Sequence, residues 1–140
     1  MKNVVIALRG AANQGKSSSI KQAFSLLKQK LSIDSISHEI TGADIRAVLT
    51  IGNIKIGIES QGDPNSRLTE SLKLFTSLGC QIIICATRTR GATVKAVQDL
   101  NPSYTITFIN KVGEKEVSKQ AAVNLATANQ IVTLVQNALP

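Results

Sequence analysis

A chain of 140 residues has the length of one domain, enough to bury a core without disulfides or structural metal. Its hydrophobic fraction of 43% is ordinary, but aromatics make up only 3%, so packing has to rest on Ile, Val, Leu and Ala, the composition of a parallel α/β sheet. A formal charge of +7 and a pI of about 9.7 point to an anionic partner, while Phe24, Phe75, Tyr104 and Phe108 are too few to offer single-stranded nucleic acid a stacking platform.

Residues 3–8, NVVIAL, form a continuous apolar run, expected of a strand covered on both faces. The run is also too short for a signal sequence or a membrane span, which predicts a reducing cytoplasm and no membrane partner. SSSIKQAFSLLKQKL follows with Ile20, Phe24, Leu27 and Leu31 at helical spacing. His38, the only histidine, stands in SISHEIT, a strand or loop context that predicts a surface role. Residues 44–63 hold two alternating segments, Ile45 to Ile51 and Ile54 to Glu59, joined by Gly52-Asn53. That dipeptide is a two-residue hairpin signal, so one strand is antiparallel.

Residues 65–75 place Leu68, Leu72 and Phe75 on one helical face, with Ser66 as cap and Gly79 as stop. QIIICA at 81–86 is a second continuous apolar run and hence a second central strand. Cys80 and Cys85 flank QIII about 16 Å apart along such a strand, too far for a disulfide, and read as core residues. Thr93 to Leu100 is a short helix halted by Asn101-Pro102, and residues 104–110 alternate like a strand near the sheet edge. Ala121, Leu125, Ala128, Val132, Val135 and Leu139 mark a packed terminal helix. The expectation is a single unit over 1–140: three α/β/α layers, with about five mostly parallel strands, one of them antiparallel, and four helices.

Between the first strand and the first helix stands Gly10-Ala11-Ala12-Asn13-Gln14-Gly15-Lys16-Ser17, a complete G-x-x-x-x-G-K-[ST] in its strand–loop–helix context. Glycines at these positions permit a backbone curl whose N–H groups converge on phosphate oxygens, and the helix N-terminus adds the positive end of its dipole. At these residues the chain resembles the P-loop NTPases. The resemblance implies phosphate bound by Gly10, Asn13, Gln14 and Gly15, an exposed Lys16 reaching the β- and γ-phosphates, Ser17 giving its hydroxyl to Mg²⁺ and Ser18 meeting the α-phosphate. The plainer alternative is a Gly-rich turn with a serine cap and a solvated lysine.

A second element is expected at the end of a neighbouring strand, where a carboxylate holds magnesium or polarises the attacking water. IKIGIESQGD offers Glu59, Gly62 and Asp63, and is similar to the D-x-x-G-[Q] segment of Ras-like GTPases with Glu for Asp and Asp for Gln. The likeness implies Glu59 as the magnesium-side acid, the Gly62 N–H on the γ-phosphate and Asp63 facing water. Asp63 alternatively serves as a metal ligand or as general base for an acceptor hydroxyl, and SQGDPNS also reads as a capping loop. The hairpin before Glu59 is a further likeness to that family. Asn110-Lys111-Val112-Gly113, standing where its N-K-x-D base-reading motif would, has no carboxylate for guanine, which makes ATP the expected nucleotide and the Asn110-Lys111 match a coincidence or relic. Arg88 and Arg90 leave the second central strand two residues apart, either as an anion clamp or pointing into solvent.

Two functions follow. One is Mg²⁺-dependent hydrolysis of ATP, or phosphoryl transfer to a small-molecule or protein acceptor, through Lys16, Glu59, Asp63, Arg88 and Arg90. The lack of a long insertion to serve as a lid tilts this toward a slow hydrolase or switch. The rival is a nucleic-acid-binding or protein-interaction module in which the nucleotide is structural or regulatory, supported by the positive charge, including Lys21, Lys28 and Lys30 on the first helix.

Overall fold

The two continuous apolar runs become neighbouring strands at the heart of one sheet. The computed structural model describes residues 2–140. Within them six strands form, β1 (Val4–Arg9), β2 (Ser35–Ile40), β3 (Arg46–Ile51), β4 (Ile54–Glu59), β5 (Ile82–Thr87) and β6 (Thr105–Asn110). Four helices join them, α1 (Lys16–Lys30), α2 (Leu68–Ser77), α3 (Ala92–Gln98) and α4 (Val117–Ala138). The sheet order is β2-β3-β4-β5-β1-β6. Pairings β4–β5, β5–β1 and β1–β6 are parallel, and β3 is antiparallel to both its neighbours.

Alternation explains why the central strands read as unbroken apolar runs. Ile6 and Leu8 of β1 face a core shared with Ile20, Phe24 and Leu27 of α1 and with Ile131 and Val135 of α4. Val5 and Ala7 face the opposite core, with Leu72 and Phe75 of α2 and Val97 of α3. Every residue of β5 is buried. Phe24, Phe75 and Tyr104 are buried as well, and the Tyr104 hydroxyl donates to the Cys80 carbonyl at 2.6 Å. Cys80 and Cys85 are free and buried; burial pushes the Cys85 thiol up to about 12, with the Glu59 charge adding to it.

Three expectations are corrected. The sheet has six strands, the extra one being β2, an edge strand with no fully buried residue and a register shift between Ser37 and Ile40, so it carries no apolar alternation to read. His38 lies in it, exposed, with φ 53°. The strand that ends in Glu59 does not directly neighbour β1, because β5 lies between them. Finally, the first fully buried residue of α4 is Ala128, with Ala121 exposed and Leu125 45% exposed. Most of the remaining punctuation is as expected. Gly52-Asn53 turns the β3–β4 hairpin and Gly79 ends α2 with φ +73°, but the residue at the N-cap of α2 is Arg67 and not Ser66, whose hydroxyl accepts the Leu68 N–H at 3.3 Å from one position further out.

Gly57 in β4 is required by packing. A Cβ there would lie 2.5 Å from the Phe75 ring, which is itself fully buried and cannot swing away. Gly57→Ala is therefore expected to lower the free energy of unfolding by about 1–3 kcal/mol. Urea denaturation measures the loss, and a compensating Phe75→Leu should recover part of it.

Candidate functional site

The parallel strands deliver their carboxyl ends to one rim of the sheet, and the loop of residues 10–15 crosses that rim between β1 and α1. Gly10 is fixed by contact, since a Cβ would lie 2.5 Å from the Lys111 carbonyl oxygen, and its N–H donates to the Thr87 carbonyl at 3.1 Å. Asn13 (φ 61°) and Gly15 (φ 82°) are left-handed, the backbone conformation from which concave anion-binding nests are built. Gln14 braces the loop by accepting the Gly113 N–H.

Lys16 is not the exposed loop lysine expected from sequence. It is buried, and its ammonium donates to the carbonyls of Gly10 and of Thr87, the latter at 2.7 Å. Burial holds its pKa below the ordinary 10.5, the Asp63 carboxylate opposing the shift and the Arg88 guanidinium adding to it. The three serines after it divide three tasks. Ser17 donates to Asp44 Oδ1 at 2.9 Å, Ser18 is exposed toward the cleft, and Ser19 donates back to the Gly15 carbonyl at 2.8 Å.

A cleft of about 270 Å³ lies over this loop. Residues 12–18 form one wall; Asp44 and residues 60–63 form the other. Sequence reasoning missed Asp44 and Ser60. Asp44 precedes β3, and because that strand is antiparallel its start lies at the same rim as the ends of its neighbours. Ser60 fixes it there, donating to Asp44 Oδ1 at 2.8 Å while accepting the Ile45 N–H at 2.8 Å. The legible signal was the Gly52-Asn53 turn, which fixes the direction of β3 and so the place where it begins.

Glu59 does not line this cleft, and the carboxylate beside Ser17 is that of Asp44. The Glu59 side chain is fully buried and engaged on all sides, by Arg67 Nε at 2.7 Å, Ser71 Oγ at 2.6 Å and the Gln61 N–H at 3.0 Å. Gly62 does line it. Its missing side chain also answers a packing demand, because a Cβ would lie 2.6 Å from the Ala86 backbone. Asp63 lines the cleft too, paired with Arg88 Nε at 3.0 Å, whereas Arg90 is exposed and absent from the lining.

A second cleft, of about 250 Å³, shares Asn13, Gln14, Gly15 and Ser18 with the first and adds Gly113, Glu114, Gln120 and Asn124. Asn124 of α4 stands against Gly15, where a Cβ would collide with it. The Asn110-Lys111 segment lies beside the loop: Asn110 accepts from Arg9 Nε at 2.9 Å, and Lys111 is buried with its ammonium on the Val112 carbonyl at 3.3 Å. Among the described residues no group of three or more His, Cys, Asp or Glu could hold a metal by itself, and no helix is long and apolar enough to cross a membrane. The chain matches no family model, no curated protein and no solved structure.

Glu59→Gln is expected to lower stability by roughly 3 kcal/mol, because it leaves the Arg67 guanidinium without its buried counter-charge. Asp44→Asn, at the half-exposed rim, should cost less than about 1 kcal/mol. Urea denaturation of the two variants measures both.

Proposed function

We propose that the chain is a P-loop nucleoside-triphosphate-binding protein, with ATP as the nucleotide, that hydrolyses the triphosphate or transfers its terminal phosphoryl group with Mg²⁺. The observation that carries this reading is the convergence of Lys16 and the Ser17–Asp44 pair on the cleft under the left-handed curl at Asn13 and Gly15. A terminal phosphate there offers the Lys16 ammonium an anionic acceptor in place of two neutral carbonyls, adding ion pairing to the hydrogen bond. The Gly15 end of α1 adds its dipole.

The donor set fits magnesium, a hard cation that takes one or two protein oxygens and completes its shell with phosphate and water. Ser17 Oγ and Asp44 Oδ1 are such donors, 2.9 Å apart. When bound, the ion would neutralise charge on the β- and γ-phosphates. Glu59 keeps a different task, holding residues 60–67 in place through Gln61, Arg67 and Ser71, so that Ser60, Gly62 and Asp63 face the cleft. The cleft that shares residues 13–15 and Ser18 is where the nucleoside would lie. Burial of Phe24, Phe75 and Tyr104 and the covering of Phe108 by Arg9, 4.3 Å from its ring centre, leave no exposed aromatic platform for single-stranded nucleic acid, which favours this reading over the rival.

Thermal unfolding in the presence of ATP, GTP and their non-hydrolysable analogues, with Mg²⁺ or with EDTA, tests site, base and metal together. ATP should raise the midpoint, and more so with Mg²⁺; no shift with any triphosphate would overturn the proposal. Lys16→Ala should weaken ATP binding about ten- to hundredfold, the weight of a charge-assisted hydrogen bond. Ser17→Ala and Asp44→Asn should instead erase the difference between Mg²⁺ and EDTA.

The pH dependence has a defined sign. The pKa of Lys16 is lowered in the free protein, and a bound phosphate raises it again, so binding takes up a proton at alkaline pH. ATP affinity should be full below the lowered pKa of Lys16 and fall as pH rises from there toward 10.5, and this loss should be absent in Lys16→Ala. Titration calorimetry across that range reads it.

A further inference from the structure

Next to the phosphate cleft lies another of about 410 Å³, between the loop that leaves β4 and the start of α3, and Asp63 lines both. We propose that this neighbouring cleft holds a phosphoryl acceptor, a small neutral polyhydroxyl compound such as a polyol or monosaccharide, and that Asp63 removes the proton from its reacting hydroxyl. The proposal rests on reading the first cleft as a triphosphate site.

Position is the first argument. A general base must lie within hydrogen-bond reach of the hydroxyl it deprotonates while that oxygen faces the phosphorus, and Asp63 is the residue that the two clefts share. Its carboxylate is oriented by Arg88 Nε at 3.0 Å, and Arg88 is anchored in turn through its backbone N–H on Thr93 Oγ1 at 2.9 Å.

The lining defines the class of acceptor. Asn65, Ser66 and Thr69 bring an amide and two hydroxyls, and Leu68 and Ala92 an apolar wall, the mixture that meets the O–H and C–H faces of a polyol. Neither Lys nor Arg is in that lining. An acceptor carrying its own phosphate or carboxylate would therefore meet the Asp63 carboxylate with no cation but Arg88, which is already paired with it, and this disfavours nucleoside monophosphates and sugar phosphates.

The step balances with the triphosphate as phosphoryl donor. The acceptor oxygen forms a bond to the γ-phosphorus while the bond from that phosphorus to the β–γ bridging oxygen breaks. The nucleoside diphosphate leaves with that electron pair, and the acceptor proton passes to Asp63 and then to water.

The test incubates the full chain with γ-labelled ATP, Mg²⁺ and, in turn, glycerol, ribose, glucose, myo-inositol or ribose 5-phosphate, and follows label into each compound. Thermal protection by ATP and Mg²⁺ is measured in parallel. Label should enter at least one neutral compound. Asp63→Asn should cut transfer about a hundredfold or more with ATP protection retained, the usual weight of a general base. Thr69→Phe, which fills the cleft from an exposed position on α2, should raise the KM for that acceptor about tenfold or more, again with ATP protection retained. Protection by ATP with label passing only to water would overturn the acceptor site and leave the triphosphate reading standing; absence of protection would overturn both. Preferential transfer to ribose 5-phosphate would overturn the neutral class, and transfer unaffected by Asp63→Asn would overturn the role of Asp63.

Discussion

One carbonyl group joins the parts of this site. The Thr87 oxygen, at the carboxyl end of β5, accepts from the Gly10 N–H at 3.1 Å and from the Lys16 ammonium at 2.7 Å, so the glycine-rich loop is hung at both ends from the strand beside it. The residues on either side of Thr87 hold the opposite wall. Ala86 packs against Gly62 so closely that no side chain fits, and Arg88 pairs with Asp63. Because β5 is buried along its whole length, this anchor has the rigidity of the core, and the cleft inherits it.

The buried Glu59–Arg67 pair has a complementary role. A charge that deep is tolerated only where hydrogen bonds surround it, and here Arg67, Ser71 and the Gln61 N–H do so. Together these bonds tie the end of β4 to the start of α2 across the loop that carries Ser60, Gly62 and Asp63. A carboxylate at the end of a strand near a glycine-rich loop invites a metal-binding interpretation from sequence. Its partners instead turn it inward, to position the residues that do face the cleft.

The reversal of a single strand has a chemical consequence. Were β3 parallel to β4, Asp44 would lie at the far rim; antiparallel, it begins where β4 ends, with Ser60 bonded to it and Ser17 within 2.9 Å. The cleft thus combines a hydroxyl from α1, a carboxylate from the approach to β3 and a loop from β4, three segments whose only common property is the rim they share. Lys21 adds to this by reaching the Ala43 carbonyl at 3.2 Å, which links α1 to the segment that presents Asp44.

The sequence by itself determined everything that depends on local backbone chemistry and on burial over both faces. The unbroken apolar runs 3–8 and 81–86 had to be central strands, Gly52-Asn53 had to turn a hairpin, and the spacing of Gly10, Gly15, Lys16 and Ser17 marked the loop, because each signal lies within a few residues of its effect. Only the tertiary structure decided the strand order, the inward turn of Glu59, the burial of Lys16 and the place of Asp44. Those depend on partners far along the chain, Arg67 and Ser71 for Glu59, Thr87 for Lys16 and Ser60 for Asp44, and no local pattern encodes which strand will lie beside which. The edge strand β2, open between strand and loop, and the exposed first turns of α4 carry weak sequence signals for the related reason that segments with little burial are under little patterning constraint.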